Sequence, residues 1–169
     1  MKFIGIIPAR YASSRFPGKP LAVLGGKYVI QRVYETVSQV LGEAYVATDD
    51  ERIYNAVIGF GGKAVMTRTD HKSGTDRIEE AVEKLGTDAD VIVNVQGDEP
   101  FIQRSQIETV CRCFDDADTS LSRIWRLLRI PILPRLFSTT VATPCISRAR
   151  LSPLCVAWSV SNGSRTILS

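Results

Sequence analysis

The sequence predicts an α/β domain organised around a mostly parallel sheet. Short apolar runs too continuous to leave one face in water are the first sign. Stretches of helical period lie between those runs, and a strand, loop, helix order repeats through the first 118 residues. With 169 residues, 44% of them apolar and 23% charged, the chain suits one domain with a sizeable core and is short for two.

The elements follow in order. Lys2 to Pro8 (KFIGIIP) is an isoleucine-rich run stopped by proline, as a buried parallel strand requires. A loop rich in Ser, Gly and Pro comes next. From Tyr28 to Leu41, Ile30, Val33, Tyr34, Val37, Val40 and Leu41 recur at helical spacing, with Glu35 and Gln39 on another face. Ala44 to Thr48 is a second strand. Asp49-Asp50 then open a helix that reaches Ile58, their charge matching the positive end of the helix dipole. Lys63 to Thr67 is a third strand. Thr75 to Leu85 is a helix with Glu79, Glu80 and Glu83 outward and Ile78, Ala81, Val82 and Leu85 inward. Asp90 to Val95 (DVIVNV) is a β-branched strand that ends at Gln96-Gly97-Asp98-Glu99-Pro100. In such a sheet, ligands bind beyond the carboxyl ends of the strands.

The net charge of +3 averages two unlike segments. Residues 1–118 hold all 18 Asp and Glu and 14 of the 21 Lys and Arg, whereas residues 119–169 hold seven Arg and no Asp, Glu or Lys. Leu121 to Phe137 mixes arginine into an apolar run, and Pro131 and Pro134 stop a helix from continuing through it. Ser, Thr, Pro and Arg without a period make up the rest, and no fold class follows from it. A basic helix on a membrane surface and a nucleic-acid patch are the two functional alternatives for this tail. Both need an organised face, and the prolines and missing period count against them. No run approaches the roughly 18 apolar residues that span a bilayer. The first apolar run ends at Pro8-Ala9-Arg10 without a small-residue cleavage site, so a cytoplasmic location is expected. Cys111 and Cys113, with Cys145 and Cys155 far along the tail, form a poor zinc set, and free thiols are expected.

The loop Pro8 to Leu21 (PARYASSRFPGKPL) carries the chemistry. Arg10, Arg15 and Lys19 fall within ten residues, interleaved with Ser13, Ser14 and Gly18. Small residues let backbone amides approach an anion, while two guanidiniums and an ammonium neutralise several phosphate oxygens. The pattern suits a polyphosphate, although it is neither a Walker A loop nor a dinucleotide-binding glycine fingerprint. His71, the only histidine, has no nucleophile motif beside it and reads as a binding or turn residue.

The segment IIPARYASSRFPGKPLA resembles the nucleotide-binding signature of the 3-deoxy-manno-octulosonate cytidylyltransferases, the CMP-Kdo synthetases. The resemblance continues through ATDD (Ala47 to Asp50), MTRTDHKSGTDRI (Met66 to Ile78) and VNVQGDEPFI (Val93 to Ile102), in family order over residues 2–118. It implies an incomplete nucleotidyltransferase domain of the glycosyltransferase-A-like kind, a Rossmann-type three-layer α/β fold. It also implies the reaction of CTP with 3-deoxy-D-manno-octulosonate (Kdo) to give CMP-Kdo and diphosphate, for lipopolysaccharide biosynthesis. Arg10, Ser13, Ser14, Arg15 and Lys19 would hold the CTP triphosphate, and Ser73, Arg77 and Gln96 would face the nucleoside. Asp98 would bind Mg²⁺, and Arg10, Lys19 and Asp98 would form the catalytic set. CTP and Kdo as small-molecule partners, a homodimer, and neither nucleic acid nor membrane complete the implied picture.

Past residue 118 the family pattern breaks. A block like HIGIYAYR that helps hold Kdo, an EQLR block and a late Asp that completes metal binding do not occur in residues 119–169. Read one base earlier, allowed codons for Thr139 to Pro153 can encode a segment like the family's ALYFSRAxIP block. Codons for Arg123 to Pro134 can likewise encode one like its FEALENPN segment, in the right order. A frameshift near codon 119 accounts for the tail, whose expected behaviour is poor order. Activity is accordingly expected to be impaired, down to a fragment that binds CTP without catalysis.

Overall fold

A computed structural model describes residues 1–12, 16–112 and 114, together with the backbone of strands 155–161 and 164–168. The chain enters as β1 (Phe3–Ala9), passes a 3₁₀ turn (Lys19–Leu21), and forms a small hairpin of β2 (Val23–Leu24) and β3 (Lys27–Tyr28). It continues as α1 (Val29–Leu41), β4 (Ala44–Thr48), α2 (Glu51–Gly59), β5 (Ala64–Met66), α3 (Gly74–Leu85), β6 (Val91–Val95) and α4 (Arg104–Arg112). Strands β7 (Cys155–Ser161) and β8 (Ser164–Leu168) follow. The main sheet has the order β5-β4-β1-β6-β7-β8. Its first four strands are parallel, while β7 and β8 add to β6 in antiparallel fashion.

The sheet is covered on both faces, which is why its strands read as unbroken apolar runs. On one face Ile7, Val91, Val93 and Val95 pack with Ile30, Val33 and Val37 of α1, Ile53 and Val57 of α2, and Ile107 and Val110 of α4. On the other, Ile4, Ile6 and Ile92 pack with Ile78 and Ala81 of α3. Alternate residues of β1 and β6 thus serve two different cores, and the three-layer α/β class expected from the sequence is what forms.

All seven strands and helices read from residues 1–118 are present, with ends displaced by a residue or so. Differences lie in the finer placement. Of the pair Asp49-Asp50, only Asp50 starts α2: its side chain caps the helix by accepting the Arg52 N–H at 3.0 Å. Glu80, expected to face outward, is half-buried because His71, Arg68 and Lys84 converge on it. Helix α4 escapes a periodicity reading, since its nine residues bury only Ile107 and Val110. The tail, to which the sequence assigned no element, contributes β7 and β8. There Val156, Trp158 and Val160 alternate with Ala157, Ser159 and Ser161, a period of two too short to stand out beside Ser- and Arg-rich flanks. The segment Leu121 to Phe137, with Pro131 and Pro134, lies outside the described residues, as do Cys113 and Cys145. No helix among the described residues is long and apolar enough to cross a membrane.

Candidate functional site

Four parallel strands deliver their carboxyl ends, and the loops that follow them, to one rim of the sheet. From β1 the chain builds outward through β4 to β5, then returns to place β6 on the opposite side of β1. The strand order therefore reverses between β1 and β6, the position at which sheets of this kind ordinarily bind ligands.

Gly97 lets the loops that follow β1 and β6 approach each other. A Cβ at this position would stand 2.8 Å from the Pro8 carbonyl oxygen and 3.1 Å from Ile30 Cδ1, so the turn after β6 can lie on the end of β1 only without a side chain. Across this contact Lys19 Nζ donates to Asp98 Oδ2 at 2.8 Å. Both side chains face water, 39% and 53% exposed. Arg10, immediately after β1, is half-buried and has no ion-pair partner among the described residues. Gln96 is half-buried in the turn after β6; its carbonyl accepts the Glu99 N–H, and its side chain makes no hydrogen bond among the described residues. Lys19 and Asp98 thus meet from distant sequence, while Arg10 directly follows β1 and Gln96 directly follows β6, its paired neighbour in the sheet. Ser13, Ser14 and Arg15 lie outside the described residues.

A second group stands on the same rim, beyond β4 and β5. Arg77 on α3 is fully buried, with Nη2 donating to Asp49 Oδ2 at 2.9 Å and Nη1 to Thr67 Oγ1 at 2.5 Å. Its Nε has no partner among the described residues. Thr67 N–H in turn donates to the Thr48 carbonyl at 2.8 Å. Arg77 therefore ties α3 to the ends of β4 and β5. Ser73 caps α3: its hydroxyl accepts the Asp76 N–H, and Asp76 accepts the Ser73 N–H, both at 3.1 Å. The side chains of Ser73 and Arg77 are thus already engaged within the protein.

His71 is buried, its Nε2 hydrogen-bonded to Glu80. Glu80 also accepts from the Arg68 N–H at 3.0 Å and pairs with Lys84 at 2.8 Å. Burial alone would raise the Glu80 carboxyl, but Lys84, the Arg68 amide and His71 outweigh it and hold it at about 2. This cluster fixes the loop between β5 and α3. Asp49 and Glu80 are the two carboxylates the sequence reading undervalued. Their signal was a buried Arg or His elsewhere in the chain, which no local pattern reveals.

Set against known proteins, residues 4–131 match the model of the cytidylyltransferase family, a span that takes in the β1 loop and the β6 turn and runs past the compositional boundary at 118. The chain belongs to the cytidylyltransferase family. It is 69% identical over 124 residues to the 3-deoxy-manno-octulosonate cytidylyltransferase of Phocaeicola vulgatus, covering 73% of this chain and 49% of that relative. It is 58% identical over 113 residues to the 8-amino-3,8-dideoxy-manno-octulosonate cytidylyltransferase of Shewanella oneidensis, covering 65% and 46%. Among solved structures it resembles a CMP:2-keto-3-deoxy-manno-octonic acid synthetase complexed with CTP, with TM-score 0.65 and 51% identity over 69% of this chain and 48% of that one. A cytidylyltransferase from Leptospira borgpetersenii, at 21% identity and TM-score 0.60, shares the fold. The chain spans about half the length of the curated relatives it matches.

Proposed function

We propose that this chain is the nucleotide-binding half of an enzyme that transfers the cytidylyl group of CTP to Kdo, giving CMP-Kdo and diphosphate. One observation carries the reading: at the switch point of the sheet, Arg10 lacks an ion-pair partner among the described residues and stands with an exposed, exchangeable Lys19–Asp98 pair. Two cations free to turn toward an anion suit a triphosphate. The 69% identity to a relative named for 3-deoxy-manno-octulosonate supports that sugar over the 8-amino sugar named for the relative at 58%.

In this reading the anomeric hydroxyl of Kdo attacks the α-phosphorus and diphosphate leaves. Arg10, Ser13, Ser14, Arg15 and Lys19 hold the triphosphate in line and balance the charge that grows on the leaving group. Ser73, Arg77 and Gln96 serve the nucleoside side, Arg77 through its grip on Asp49. Asp98 fits a role as the protein's Mg²⁺ ligand, because it presents a half-exposed hard oxygen donor beside the triphosphate loop. Mg²⁺ usually takes one or two carboxylates plus substrate phosphates. When bound there, the ion supplies charge neutralisation on the phosphate oxygens. We further assign the protein to the cytoplasm, as a homodimer in the manner of the family it resembles, and residues 119–169 to a shifted reading frame. The DNA sequence around codon 119 tests the last point, which fails if the displaced frame encodes no HIGIYAYR-like block downstream.

A second reading, that the chain binds CTP without turnover, is favoured by its spanning half the length of its relatives. Diphosphate release and CTP calorimetry on the purified chain separate the two. Release that requires CTP, Mg²⁺ and Kdo together establishes the enzyme, and CTP binding without release establishes the fragment. Absence of CTP binding removes both.

A further inference from the structure

Arg52 has no place in the reading above, yet its guanidinium does not simply lie in solvent. Its Cζ stands 3.3 Å from the centroid of the Tyr11 ring. It is held there by two bonds to Asp50, Nε to Oδ1 at 2.9 Å and Nη2 to Oδ2 at 2.6 Å. Asp50 is itself fixed as the cap of α2, and its N–H donates to Thr48 Oγ1 at 3.2 Å. The first turn of α2 thus presents a flat cation, in a set orientation, to an aromatic face.

Tyr11 passes this constraint on. It opens the phosphate-binding loop and packs on the edge of the core formed with α1 and α2. The Gly18 N–H at the far end of the loop donates to the Tyr11 carbonyl at 2.8 Å. Gly18 has φ +71, and a Cβ there would lie 3.1 Å from two atoms of the Tyr11 ring, so the glycine backbone rests directly against that ring. The next residue is Lys19, whose ammonium reaches Asp98. We propose that Arg52 and Tyr11 are positioning residues that brace both ends of the triphosphate loop and thereby set the place of Lys19, an assignment that rests on the CTP reading above. The brace acts on phosphate binding and leaves the nucleoside side alone, because Ser73 and Arg77 stand at the start of α3 and Gln96 in the turn after β6.

Two measurements on the full chain test this: CTP and CMP affinities by calorimetry, and hydrogen exchange of the Gly18 amide without nucleotide. Arg52→Met and Tyr11→Leu should each weaken CTP roughly three- to tenfold, the scale of a lost cation–π contact and the loop order it maintains. Affinity for CMP should stay unchanged, Gly18 exchange should speed up, and Tyr11→Phe, which keeps the ring, should behave as the parent. Equal losses for CTP and CMP would mean a merely structural role and overturn the proposal. So would an unchanged Gly18 exchange rate in Arg52→Met, or a CTP loss in Arg52→Met that Tyr11→Leu does not share, which would make Arg52 a direct phosphate ligand. If Tyr11→Leu fails to fold, Arg52→Met and Tyr11→Phe still decide. If the parent chain binds no CTP, the functional reading falls, while the exchange measurement still decides whether the brace exists.

Discussion

Two ion pairs stand on the same rim of the sheet, one on each side of the β1 carboxyl end, and they differ in nearly everything but charge. Arg77 is fully buried against Asp49, itself 17% exposed, and donates a second bond to Thr67. Lys19 and Asp98 meet by a single bond, with 39% and 53% of their side chains in water. A buried pair is part of the structure, since separating it leaves a charge without water or partner. An exposed pair contributes little to stability and can exchange its partner for a ligand. Burial, more than residue type, decides which cation on this rim is available for chemistry. It also separates residues that the sequence alone groups together as nucleotide contacts.

The buried side of that comparison should break hardest. Arg77→Met removes the cation and leaves the Asp49 carboxylate and the Thr67 hydroxyl in place without it. Unfolding free energy should fall by about 3 to 5 kcal/mol, measured by urea denaturation of the chain. The double variant with Asp49→Asn should recover part of that loss, because no uncompensated charge is left behind. A loss below about 1 kcal/mol in the single variant would show that the pair is no strut, and the contrast drawn above would collapse.

The contrast also marks how far the sequence could be read. Strands such as KFIGIIP and DVIVNV announce themselves because their isoleucines and valines face one core or the other, and the Ile30, Val33, Val37 stripe needs only the helical period to be seen. The position of Arg10 and Lys19 after the first strand was enough to suggest a phosphate site. What could not be read were facts of pairing at a distance. Asp49 and Asp50 are chemically identical neighbours, yet one caps α2 and the other meets Arg77, 28 residues away. Ser73 and Asp76, by contrast, stand three residues apart and close a capping box, a pairing that local spacing does carry. Helix α4, anchored by two apolar residues, is stabilised by tertiary packing and leaves only a faint local pattern.

Between the two extremes lies Glu80, 12% exposed and shared among His71, Lys84 and the Arg68 amide. Its carboxyl sits at about 2 in the folded chain against an ordinary 4.5. A depressed folded value stabilises the protein fully above about pH 4.5, and that contribution disappears as pH falls toward 2. Glu80→Gln should therefore lower stability at neutral pH by about 2 kcal/mol, a figure that allows for solvent around Lys84, and flatten the acid limb of the pH–stability curve. Thermal melts from pH 7 down to the acid transition measure both. An unaltered acid limb would place Glu80 with the exposed pairs.

The exposed side should show the smallest effect on stability and the clearest effect on binding. Lys19→Ala removes one solvent-facing bond, so unfolding free energy should change by only about 0 to 1 kcal/mol. If Lys19 turns from Asp98 to a phosphate oxygen when nucleotide arrives, CTP affinity should fall roughly 10- to 100-fold, the scale of a lost charge-assisted hydrogen bond. The remaining affinity should also depend less on salt, because one screened attraction is gone. Calorimetry at two ionic strengths reads both changes. Unchanged CTP affinity, or a stability loss as large as that of Arg77→Met, would mean that exposure on this rim does not mark the cation that meets the ligand.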